Sequence, residues 1–145
     1  MKKFMTPLAV LLGLTGGQAM AGETANPLEI ERWQNRPLIV VAPEAGDPTL
    51  RHFQQDLLVP ANREAFVERD MVLYTVVGGV GKRNGQAMDP AATQALLNEL
   101  GVDGQGPTRL LLVGKDGGTK IDQRAPLDPK AIFATIDRMP MRRQP

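Results

Sequence analysis

The sequence predicts an α/β domain in which a mixed four-stranded sheet is covered by helices on both faces, in the order β-α-β-α-β-β-α. Three observations carry that expectation. Unbroken apolar runs at 38–42, 71–77 and 110–113 suit strands buried on both faces, because strands with one wet face alternate instead. Between and after them an acid followed by proline recurs, at Asp47-Pro48, Asp89-Pro90 and Asp128-Pro129. Each pairs an N-cap acceptor with the residue best suited to the first helical turn. Finally, Lys115-Asp116-Gly117-Gly118 is a tight turn that joins the last two strands directly, so those two must run antiparallel.

The elements follow in order. Residues 1–21, MKKFMTPLAVLLGLTGGQAMA, have the zones of a secretory signal: Lys2 and Lys3, the apolar stretch Phe4 to Leu14, and Ala19-Met20-Ala21 for the peptidase. The apolar stretch is about half the ~20 residues a spanning helix needs, so cleavage after Ala21 and no membrane anchor afterwards are expected. Residues 22–36 form an N-terminal extension in which Leu28, Ile30 and Trp33 lay a short helix or turn across the domain edge, Trp33 as a packing residue. The domain proper is 37–140. Its first strand is Pro37 to Ala42, and the first helix carries Leu50, Phe53 and Leu57 on one face until Pro60 ends or bends it. Arg63 to Glu68 add a turn or two, and Met71 to Val77 is the second central strand. After a glycine-rich loop, Ala92, Leu96, Leu97 and Leu100 mark a helix stopped by Gly101. Arg109 to Val113 and Thr119 to Asp122 are the last strands, Ile132, Phe133 and Ile136 the inner face of the last helix, and 141–145 a basic tail.

Composition narrows function by exclusion. The chain has no cysteine, which removes disulfide exchange, thiol peroxidase chemistry, disulfide stapling and lipoprotein anchoring together. Loss of Lys2 and Lys3 leaves 15 basic against 16 acidic side chains, a balance that makes no electrostatic case for nucleic acid. The product should be periplasmic or secreted.

The element order, with Pro107 just before the third strand, resembles the thioredoxin-like fold, a three-layer α/β/α architecture. The resemblance implies that Pro107, in a cis peptide, and Thr108 face the start of the first long helix. Reactive cysteines would stand there, where this sequence has Ala42-Pro43-Glu44-Ala45-Gly46-Asp47-Pro48. More narrowly, four segments look like a bacterial family of thioredoxin-like domains of unknown function, related to domains in secreted equarin-type and sushi-repeat proteins. They are the residues from Asn35 to Pro43, Glu68-Arg69-Asp70, Leu112 to Gly118, and Ile136 to Arg143.

Candidate sites follow from position. Glu44 and Asp47 lie past the C-terminal end of the first strand, where open α/β sheets place ligands, with Gln105, Pro107 and Thr108 opposite. With Trp33 as a stacking platform they make a candidate ligand groove. Two carboxylates could also do acid/base work or hold a cation, although Asp47 reads equally as a helix cap. In the loop Gly78-Gly79-Val80-Gly81-Lys82-Arg83-Asn84-Gly85 neither phosphate-loop pattern is complete, so it reads as a flexible surface loop with Lys82 and Arg83 as anion contacts. His52, the sole histidine, reads as an exposed partner of Asp56, and Arg142 and Arg143 as a solvated pair or a contact to an acidic partner. No complete catalytic set, metal-ligand cluster or cofactor motif emerges, and the mature chain has no serine. The expected function is a non-catalytic binding or interaction module taking an unidentified protein or small ligand; the alternative is a carboxylate- or metal-assisted hydrolase using Glu44 and Asp47.

Overall fold

The computed structural model describes residues 26–124 and 127–140; the expected signal segment, Arg142 and Arg143 lie outside them. Strand β1 (Arg36–Ala42) is buried along its whole length. It pairs in parallel with β2 (Met71–Val77), with Ile39 beside Tyr74, and antiparallel with β5 (Arg109–Val113), with Ile39 beside Leu111. Strand β6 (Thr119–Arg124) continues the sheet antiparallel to β5.

Because side chains alternate across a strand, the apolar runs feed two cores. Leu38, Val40, Leu110 and Leu112 meet Leu50 and Phe53 of α2 (Pro48–Leu58) and Ile132, Phe133 and Ile136 of α5 (Pro129–Asp137). Ala65 and Phe66 of α3 (Pro60–Glu68) pack on that face too. Ile39, Val41, Val72, Val76 and Leu111 face the opposite way, against Leu28 of α1 (Pro27–Glu31) and Leu96 and Leu97 of α4 (Pro90–Leu100). Helices therefore cover both faces.

The acid-proline starts are present at all three expected places. The Asp47, Asp89 and Asp128 side chains accept from the backbone N–H of Leu50, Ala91 and Lys130. Asn26-Pro27 opens α1 by the same device, with Asn26 accepting from Leu28. Gly101 ends α4 with φ of 69°, the left-handed conformation expected of a C-cap glycine.

Four expectations need correction. The sheet has six strands, in the order β4-β3-β2-β1-β5-β6, not four. The glycine-rich segment is not a flexible loop: it is β3 (Val80–Arg83) followed by β4 (Gln86–Ala87), antiparallel to β2 and to each other. Both turns have two residues with positive φ, Gly78 and Gly79 at 57° and 85° and Asn84 and Gly85 at 48° and 84°, which matches the twist of a tight hairpin. Pro60 does more than end α2: it opens α3, where its missing N–H costs nothing. Lastly, Ile30 and Trp33 are 58% and 61% exposed, since only Leu28 and Glu31 of α1 turn inward.

The hairpin is held to α4 through Gly81. A methyl group there would stand 2.8 Å from Thr93 Cγ2 and 3.0 Å from its Cβ, closer than packing allows. Gly81→Ala should therefore destabilise the domain by about 1–3 kcal/mol, read as a lower midpoint in urea unfolding. Ala87, exposed on β4, should tolerate Ala87→Ser with the midpoint unmoved.

Candidate functional site

The chain leaves β1 through residues 43–46 and enters α2 at Asp47. Asp47 Oδ2 accepts two hydrogen bonds, from the Leu50 N–H at 3.0 Å and from the Thr108 hydroxyl at 2.6 Å. Thr108 is buried and stands just before β5, whose Arg109 pairs with Val41. One carboxylate thus clasps the start of α2 to the start of β5. The bond from Thr108, then that from Leu50, holds the Asp47 carboxyl below its usual range. A carboxylate so lowered is a weak proton acceptor at neutral pH.

Around the clasp, Glu44 and Pro107 are exposed, and the Glu44 carbonyl accepts from the Asp47 N–H at 3.1 Å. The Gln105 side chain lies over the β2–β3 turn, its Nε2 3.2 Å from where a Cβ on Gly79 would be. Lys82 is exposed and borders a small cavity of about 260 Å³ between β2 and α2, lined also by Leu50, Gln54 and Thr75. His52 stays on the surface, 3.6 Å from Asp56.

Arg83 is not an anion contact. Its Nε donates to Glu31 Oε2 at 2.7 Å, and Glu31 also receives the Tyr74 hydroxyl at 2.5 Å and Asn35 Nδ2 at 2.7 Å. Glu31 is 1% exposed. Burial alone would push its carboxyl up, but the bonds from Arg83, Tyr74 and Asn35 outweigh that and leave it below the ordinary value. Burial, reinforced by the Glu31 carboxylate, pushes the Tyr74 phenol up, and the same carboxylate raises the Arg83 guanidinium. The cluster is fully engaged and structural. Its sequence signal was Glu31 three residues after Leu28, a carboxylate on the apolar face of a short helix.

Trp33 does not join the groove. It precedes β1, whereas Asp47 and Thr108 lie beyond the far end of a seven-residue strand, roughly 20 Å away. Its φ of 67° is unusual for a bulky residue, and its N–H is pinned to the Lys115 carbonyl at 2.7 Å. The indole borders a cavity of about 550 Å³, walled by Gly114, Met139 and Pro140. Arg36, Lys115, Lys120 and Arg138 line it with a single acid, Asp116. This cavity was not legible in advance, because its lining comes from the segment before β1, the β5–β6 turn and the end of α5. Among the described residues no group of three or more His, Asp or Glu could hold a metal ion, and no helix is long and apolar enough to cross a membrane.

The clasp has a measurable pH signature. Asp47 has a lowered folded pKa, so the stability its charge confers is complete above the unfolded value of about 3.9 and is lost as pH falls through the lower folded one. Thr108→Val should cost about 1 kcal/mol at pH 7, modest because water competes at Asp47. The difference from wild type should shrink below about pH 3.9 in urea titrations at stepped pH.

Comparison with curated proteins and with solved structures returned no match. The family comparison matched residues 27–145, which takes in every described element from α1 to α5. The chain belongs to the family described as a domain of unknown function, DUF4174.

Proposed function

We propose that the chain is an exported, thioredoxin-like binding module that does no thiol chemistry and captures a ligand at the Trp33 end of its sheet. The thioredoxin-like part is supported by the inner order β2-β1-β5-β6, with one parallel and two antiparallel pairings, and by the contact between Thr108, next to Pro107, and the start of α2. In this reading the extra β3–β4 hairpin is an addition at the β2 edge, and kinship with secreted equarin-type and sushi-repeat domains belongs to the same proposal. Export is supported by the three zones of residues 1–21 and the absence of cysteine.

The observation that carries the binding reading is the commitment of Asp47. In the place a reactive thiol would hold stands a carboxylate whose hydrogen bonds go to a helix cap and to Thr108. It serves structure. A hydrolase built on Glu44 and Asp47 would need that carboxylate free to take a proton or a cation.

Two measurements test the proposal. The periplasmic fraction of bacteria expressing the full chain should yield a product whose mass lacks residues 1–21; uncleaved chain in the cytoplasm would overturn export. Melting curves should coincide with and without Ca²⁺, Mg²⁺, Mn²⁺ or Zn²⁺. Stabilisation approaching 2.7 kcal/mol at about a hundredfold excess over Kd, abolished by Glu44→Gln with Asp47→Asn, would establish the hydrolase alternative instead.

A further inference from the structure

We infer that the Trp33 cavity takes a small organic anion with an apolar body, of which a medium-chain carboxylate is the simplest member; the inference rests on the reading of the chain as a binding module. Size comes first. About 550 Å³ lies within the roughly 300–1,000 Å³ typical of small-molecule sites.

The walls supply the apolar half. A lone tryptophan 61% exposed presents a large ring to water, and its left-handed backbone, pinned by Lys115, fixes it at the rim. Met139 and Pro140 face the same space. An apolar chain laid against them would remove ring surface from water at roughly 25 cal/mol per Å².

Charge supplies the polar half. The lining holds four cations and one acid. Lys120 is paired with Asp116 at 3.0 Å, and Lys115 reaches outward to Asp70 at 2.8 Å. Counting both acids still leaves two cationic groups in excess. The nearby Asp137 is engaged by Arg69. Arg138 donates only a long 3.4 Å bond to Thr135 Oγ1, on the cavity wall, and can turn to a carboxylate. The segment that follows Pro140, Met-Arg-Arg-Gln-Pro, adds positive charge, so the chain's own tail is a poor occupant. Anions are favoured and cations repelled.

The test uses decanoate and decylammonium, which share a chain and differ in the sign of the head. Trp33 is the only tryptophan, so its emission reports the site directly. Decanoate should shift that emission saturably and release heat in titration calorimetry, while decylammonium binds at least tenfold more weakly. Raising salt should weaken decanoate. Lys120→Gln with Arg138→Gln, both at exposed positions, should weaken it by about tenfold with the melting temperature unchanged. Trp33→Ala should abolish it in calorimetry.

Equal affinity for the two probes overturns the charge argument. Decanoate binding that survives Trp33→Ala overturns the location. Absence of any decanoate signal overturns the ligand class, while the export and metal-ion measurements continue to judge the module reading separately.

Discussion

A strand buried on both faces at the centre of a sheet cannot be satisfied by one layer of helices, and β1 imposes that constraint on everything else here. All seven of its residues are buried, and its neighbours run parallel on one side and antiparallel on the other. Its even-numbered residues from Leu38 to Ala42 require α2 and α5, while Ile39 and Val41 require α1 and α4. The parallel partner needs a crossover long enough to reach back, which α2 and α3 provide. The direction of β1 also defines two ends of the sheet, and the chemistry of the domain divides between them.

The edges are handled by charge. On one side β6 carries Lys120, Asp122 and Arg124, with Asp122 accepting two bonds from Arg109 at 2.7 Å each, so the open edge is an unattractive template for another strand. On the other, the β3–β4 hairpin shields β2 and is itself secured by Glu31. A buried carboxylate is costly unless compensated, and Arg83, Tyr74 and Asn35 compensate it from β3, β2 and the segment before β1. The cluster therefore links α1 to the hairpin edge and helps specify how they pack. Across the sheet, Arg69 does similar work between α3 and α5, with two bonds to Asp137 at 3.0 and 2.9 Å and its guanidinium 5.0 Å from the Phe133 ring.

What could be read from the sequence was what local chemistry dictates. The central strands were legible because unbroken apolar runs have few other fates, and the helix starts because proline after an acid fits only a few backbone positions. The hairpin was missed although Asn84-Gly85 is a strong two-residue turn signal, because attention to phosphate loops treated the glycines as freedom rather than as positive φ. The contact between Asp47 and Thr108 was reachable, since both residues flank β1 and β5 at the same end. Trp33 was misplaced for the opposite reason. A single aromatic residue outside any periodic segment carries no statement about which surface it faces, and its left-handed backbone is set by the Lys115 carbonyl, 82 positions away.

The two ends of β1 have opposite electrostatic character, and the missing cysteines explain why that matters. At the C-terminal end, the free amides at the start of α2 could attract an anion, but Asp47 already occupies them and Glu44 stands beside it. A second anion there meets repulsion and no open donor. At the N-terminal end no helix start is involved, and the lining instead gathers Arg36, Lys115, Lys120 and Arg138 around one indole. A thiol at residue 47 would have drawn function to the first end. Its replacement by a capping carboxylate closes that end, so any recognition by this domain falls to surfaces built from side chains rather than from the sheet's own topology.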